Sequence, residues 1–66
     1  MTVTVNGEPR SLPEGATVAD LVERLGLGQR ACAVEVDRCL VPRKAHAERR
    51  LNAGAAIEIV TLVGGG

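Results

Sequence analysis

The sequence predicts an α+β fold in which one main helix packs on one face of a mixed four- to five-stranded sheet. Three observations carry that expectation. Short apolar/polar alternations at both ends and in the middle have the period of half-buried strands. One segment alone carries a helical stripe, Val18, Leu21, Val22 and Leu25. Two-residue polar interruptions, Asn6-Gly7 and Asp37-Arg38, sit where hairpins would turn.

Along the chain, residues 1–5 alternate, with Val3 and Val5 on one side and Thr2 and Thr4 on the other. Asn6-Gly7 tolerates the positive φ angles of a type I′ turn, so residues 8–12 are expected to fold back as a second strand. Pro9 has no N–H to give to a ladder, which suits the start or outer edge of that strand. Thr17 is positioned as an N-cap for the helix, with Asp20 three residues on, and Gly26 supplies a left-handed residue to close it.

Residues 31–36 are extended again. If Asp37 and Arg38 are the two loop residues of a second hairpin, Val36 faces Cys39 and Val34 faces Val41. That register holds Cys32 and Cys39 apart, beyond disulfide reach, and both thiols are expected free, as buried or half-buried small hydrophobes. Pro42 ends the short strand. Residues 43–50 read as a polar loop with one helical turn, in which His46 is expected to be solvated. After the turn signal Asn52-Ala53-Gly54, residues 56–63 form the most hydrophobic strand. Ile57, Ile59 and Thr61 share one face, and Glu58, Val60 and Leu62 share the other. A sheet covered by one helix has one open face, so Val60 and Leu62 are expected to lie partly exposed as a partner-docking patch.

Composition removes several function classes. At 66 residues the chain has room for one small domain, residues 1–63, followed by a glycine tail at residues 64–66. Its eight basic and eight acidic residues cancel and are scattered, and Phe, Trp and Tyr are absent. Neither the electrostatic source nor the stacking platforms of nucleic-acid binding are present. No apolar run approaches the roughly 20 residues of a membrane span, and the first residues lack a signal-peptide core, so a cytoplasmic protein is expected. No nucleophile–base pair, metal-ligand set or phosphate loop stands out, which argues against an independent enzyme and against a bound metal or cofactor.

The chemistry is then expected at Gly64, Gly65 and Gly66. Residues without Cβ atoms let a partner enzyme draw a terminal carboxylate through a narrow channel. A carboxylate is a poor electrophile until it acquires a leaving group, and ATP can supply one as an acyl-adenylate. A mobile arm on a monomeric carrier suits that task.

The VTVNGE opening, the PEGATVADLVERLGL segment, AVEVDRCLVPR and the closing LNAGAAIEIVTLVGGG together resemble the ThiS sulfur-carrier family of thiamine (thiazole) biosynthesis, with its ubiquitin-like β-grasp fold. The resemblance covers essentially the whole chain, and Leu62 stands where that family often has Phe. It implies that Gly66 is adenylated by a ThiF-like adenylyltransferase and converted to a thiocarboxylate by a sulfur-transfer enzyme. The thiocarboxylate then serves as sulfur donor to a ThiG-like thiazole synthase. Gly65 and Gly66 map onto the functional diglycine, and Gly64 onto the glycine before it. Two alternatives remain at this point. One is a carrier of the molybdopterin-synthase type, usually a longer chain; the other is a non-covalent ubiquitin-like binding module.

Overall fold

The structure is a computed structural model that describes residues 1–28 and 30–62. Five strands and one α-helix follow in the order β1 (Thr2–Val5), β2 (Glu8–Ser11), α1 (Val18–Arg24), β3 (Cys32–Val36), β4 (Cys39–Val41) and β5 (Ala56–Thr61), with a 3₁₀ turn at Arg43–Ala45. The sheet order is β2-β1-β5-β3-β4. β5 lies at the centre, parallel to β1 and antiparallel to β3. This is the expected β-grasp arrangement, with all five strands formed.

The helix begins and ends for identifiable reasons. Thr17 Oγ1 accepts the Asp20 amide at 3.2 Å and the Asp20 carboxylate accepts the Thr17 amide at 2.9 Å, a reciprocal capping box. The other early N–H donors find carbonyls in the loop that follows β4: Val18 N–H bonds Arg49 O and Ala19 N–H bonds His46 O. At the far end Gly26 takes φ +75, Gly26 N–H bonds Glu23 O and Leu27 N–H bonds Val22 O. These two bonds define a Schellman closure, in which a side chain at Gly26 would be strained. Val18, Leu21 and Val22 are buried, so the helical stripe faces the sheet.

Beneath the helix, Val3 and Val5 of β1, Val34 and Val36 of β3, Val41 of β4 and Ile57 and Ile59 of β5 are all buried. Leu12, Ala16, Leu51 and Ala55 close the core from the connecting segments. Burying each Val, Leu or Ile contributes about 1.5–3 kcal/mol, so aliphatic residues build this core without aromatic help. No helix of the described residues is long and apolar enough to cross a membrane.

Both hairpins turn where expected, and the β3–β4 register is the expected one: Val34 pairs with Val41 and Val36 with Cys39. Asn6 (φ 51), Gly7 (φ 85), Asp37 (φ 49) and Arg38 (φ 69) all adopt left-handed backbone. The first residue of each turn does more than tolerate that conformation. The Asn6 carboxamide accepts from Ile59 N–H at 2.9 Å and donates to Ile59 O at 3.1 Å. The Asp37 carboxylate accepts from Ala56 N–H at 3.0 Å, while Asp37 N–H donates to Ala56 O at 2.8 Å.

Three expectations are corrected. His46 is buried, with 8% of its surface exposed, because the loop carbonyls that satisfy the helix N-terminus carry the histidine inward with them. Its Nε2 lies 3.2 Å from Val41 O, and since a carbonyl only accepts, Nε2 carries the proton. Cys39 is exposed where a buried or half-buried thiol was expected, because β4 is a short edge strand; Cys32 is half-buried, and both are free. The strand expected over residues 56–63 ends at Thr61. Its final residue, Val63, lies outside the described residues, as does the expected tail at residues 64–66.

Two substitutions test the turns. Asn6→Gly keeps a residue that accepts positive φ but removes both bonds to Ile59. At about 0.5–1.5 kcal/mol net per bond, urea unfolding is expected to show a loss of about 1–3 kcal/mol. Arg38→Gly relieves a non-glycine residue at positive φ, and a gain of about 1 kcal/mol is expected in the same measurement. A loss there would mean that the Arg38 side chain stabilises the turn by more than its backbone costs.

Candidate functional site

The site is built on the end of the central strand. β5 pairs with β1 at only two positions, Thr4 with Ala56 and Val5 with Ile57. Asn6 then extends the hold on that flank: its backbone N–H bonds Ile57 O at 2.8 Å and its side chain bonds Ile59. On the other flank β3 follows β5 further, through Val34 with Ile59, Ala33 with Val60 and Cys32 with Thr61. Leu62 N–H still bonds Ala31 O at 2.9 Å after the strand has ended. The chain is therefore fixed by hydrogen bonds up to the residue before Val63.

Alternation along this fixed strand decides which side chains meet solvent. Ile57 and Ile59 point under the helix and are buried. Val60 and Leu62 point to the open face and are 60% and 57% exposed, matching the exposure expected of them. Thr61 shares the helix-side face with Ile59 but is exposed.

One part of the face was missed by sequence reasoning. Leu40 is 67% exposed and pairs directly with Glu35 on the same side of the sheet as Val60. The signal was present: with Val41 facing the core opposite Val34, its neighbour Leu40 had to face outward. The patch thus spans β4, β3 and β5, with Ala33 lying between the two exposed regions.

On the helix side, two shallow concavities border the same strand region. One, of about 210 Å³, is lined by residues that include Cys32, Arg43 and His46. The other, of about 310 Å³, lies between Asn6, Arg10, Leu25 and Thr61. The structure does not bring Cys39 to either. Gly64, Gly65 and Gly66, the expected reactive residues, lie outside the described residues, so the geometry on view is that of their anchor and of the surface beside it. Fixed backbone and exposed apolar side chains are equipment for presentation to a macromolecule rather than for enclosing a small substrate.

Comparison with known proteins gives a consistent picture. The fold is similar to the crystal structure of thiamine biosynthesis protein ThiS from Geobacter metallireducens, with a TM-score of 0.83, 30% identity and full coverage of both chains. The solution structure of a thiamine biosynthesis protein from the same organism matches with a TM-score of 0.80, covering 88% of that chain. In sequence, the chain is 38% identical over 66 residues to a thiazole synthase of Paramagnetospirillum magneticum and 33% identical to a thiazole synthase of Magnetococcus marinus. It spans 20% of the length of each of these two relatives. Residues 3–66 match the ThiS family, and the chain belongs to that family.

Proposed function

We propose that this chain is a sulfur carrier of thiamine thiazole biosynthesis, a protein co-substrate rather than a catalyst, with the Gly66 carboxylate as the group that is loaded. The observation that carries this reading is the central strand β5. It is hydrogen-bonded on both flanks, exposes Val60 and Leu62 at its end, and leads within two residues into a run of glycine. Membership of the ThiS family supports the same assignment.

In this reading a ThiF-like adenylyltransferase binds the carrier and ATP. A carboxylate oxygen of Gly66 attacks the α-phosphorus, pyrophosphate leaves, and the acyl-adenylate makes the carbonyl carbon electrophilic. Hydrosulfide, or sulfur released at that oxidation level from a sulfur-transfer enzyme by a thiol reductant, then attacks that carbon and displaces AMP, leaving a thiocarboxylate that a ThiG-like thiazole synthase consumes. In this reading the partners stabilise the charge that develops in these steps. The domain contributes position: Gly64, Gly65 and Gly66 have no side chains to obstruct entry into a narrow site, and Val60 and Leu62 form the docking surface that the partner covers. Similarity to one-fifth of two thiazole synthases supports that enzyme class as a partner, because a carrier and its consumer joined in one polypeptide would deliver at high effective concentration.

Intact-mass measurement tests the proposal. After incubation with ATP, the adenylyltransferase and a sulfur source, the chain is expected to gain the mass difference of one sulfur replacing one oxygen. A chain shortened by Gly65 and Gly66 is expected to retain its circular dichroism spectrum and to show no such change. Unaltered partner-dependent activity of the shortened chain would sink the carrier reading.

A further inference from the structure

The open face of the sheet contains a pairing that the fold does not need. Register sets Glu35 directly across from Glu58, and Leu40 directly across from Glu35. One row across β4, β3 and β5 therefore reads Leu40, Glu35, Glu58, and the next holds Ala33 and Val60. Directly opposed residues on one face have Cβ atoms about 5 Å apart, and like charges at that spacing destabilise the sheet. Both glutamates are exposed. Among the described residues, the ion pair within 4 Å is that of the Met1 ammonium with Glu14, and it leaves both of these carboxylates uncompensated.

The apolar side chains around them turn this cost into a constraint on any partner. Leu40, Val60 and Leu62 are each more than half exposed, and Val60 is one row from the glutamate pair. A protein surface that excluded water from Val60 and Leu40 would also desolvate Glu35 and Glu58. Two adjacent carboxylates taken out of water without a cation are strongly unfavourable. The partner must therefore bring positive charge to the middle of an otherwise apolar contact. A guanidinium fits best: its planar fork can bond two carboxylates at once, and its stem packs on aliphatic neighbours.

We propose that this face is read by the adenylyltransferase through an arginine seated between Glu35 and Glu58, with apolar side chains of the enzyme over Leu40 and Val60. The inference rests on the carrier reading above and adds the chemistry by which the correct enzyme is selected. A surface with unopposed apolar residues alone would accept many partners; the paired carboxylates reject those that lack a cation at that point.

The test uses opposite signs in two measurements on Glu35→Gln, Glu58→Gln and the double variant. Each removes the repulsion, so urea unfolding is expected to show stability equal to or above that of the parent chain. In carrier-dependent ATP–pyrophosphate exchange by the adenylyltransferase, KM for the carrier is expected to rise about tenfold in each single variant while kcat holds. The double variant is expected to exceed either single one by less than the product of the two, because one cation serves both carboxylates. Added salt is expected to raise KM of the parent and to leave the double variant nearly unaffected. An active parent whose KM is unchanged in both single variants overturns the cation pairing alone. A parent that supports no exchange with an enzyme active on its own carrier overturns the carrier reading, and this inference with it.

Discussion

The architecture depends on how β5 is held. As the central strand it joins the two halves of the sheet, yet β1 accompanies it for only two residue pairs. The shortfall is made up by the two hairpin turns. Asn6 lends a side chain that hydrogen-bonds Ile59 as another strand residue would, and Asp37 does the same for Ala56 at the strand's beginning. Each turn residue thus joins a local requirement, positive φ, to a long-range one, and the Asn6 bonds reach across 53 positions of sequence. Local and distant preferences agreeing at one residue is the kind of consistency that gives a small chain one structure.

That anchoring has a functional consequence. In the carrier reading proposed above, the reacting group is positioned only as well as the strand that leads to it, and that strand is hydrogen-bonded through Leu62. In that reading, residues without Cβ atoms let an enzyme impose its own geometry on the carboxylate, while β5 and its exposed neighbours limit where the approach begins.

Much of this was legible in the sequence because it rests on short periods and turn chemistry. The alternation at Val3 and Val5, the stripe from Val18 to Leu25, the capping pair Thr17 and Asp20, and both two-residue turns were each stated by a few adjacent residues and appear as expected. The register of Asp37-Arg38 was sufficient to pair Val34 with Val41. What escaped was non-local. His46 is buried because carbonyls of its loop satisfy the first N–H groups of a helix far back in the chain, and no property of the residues around His46 announces that demand. The Asn6 and Asp37 clips likewise need the sheet order before they can be seen. Leu40 is the intermediate case, implied by the same alternation that exposed Val60 but concealed in a strand of three residues.

The site divides along the same line. The end proposed to react is legible as composition, a run of glycine, while the surface proposed for recognition exists only once β3, β4 and β5 are side by side. Glu35, Glu58, Leu40 and Val60 come from three separate segments and share no motif. Stability alone would disfavour both opposed carboxylates and exposed leucine and valine, and none of the four belongs to the buried core. A fold that keeps such residues together on its one uncovered face retains local cost where a partner can relieve it. Covering the face would bury apolar surface and, with a cation supplied, neutralise the pair. The features that weaken the isolated sheet are then the ones that make its complex specific.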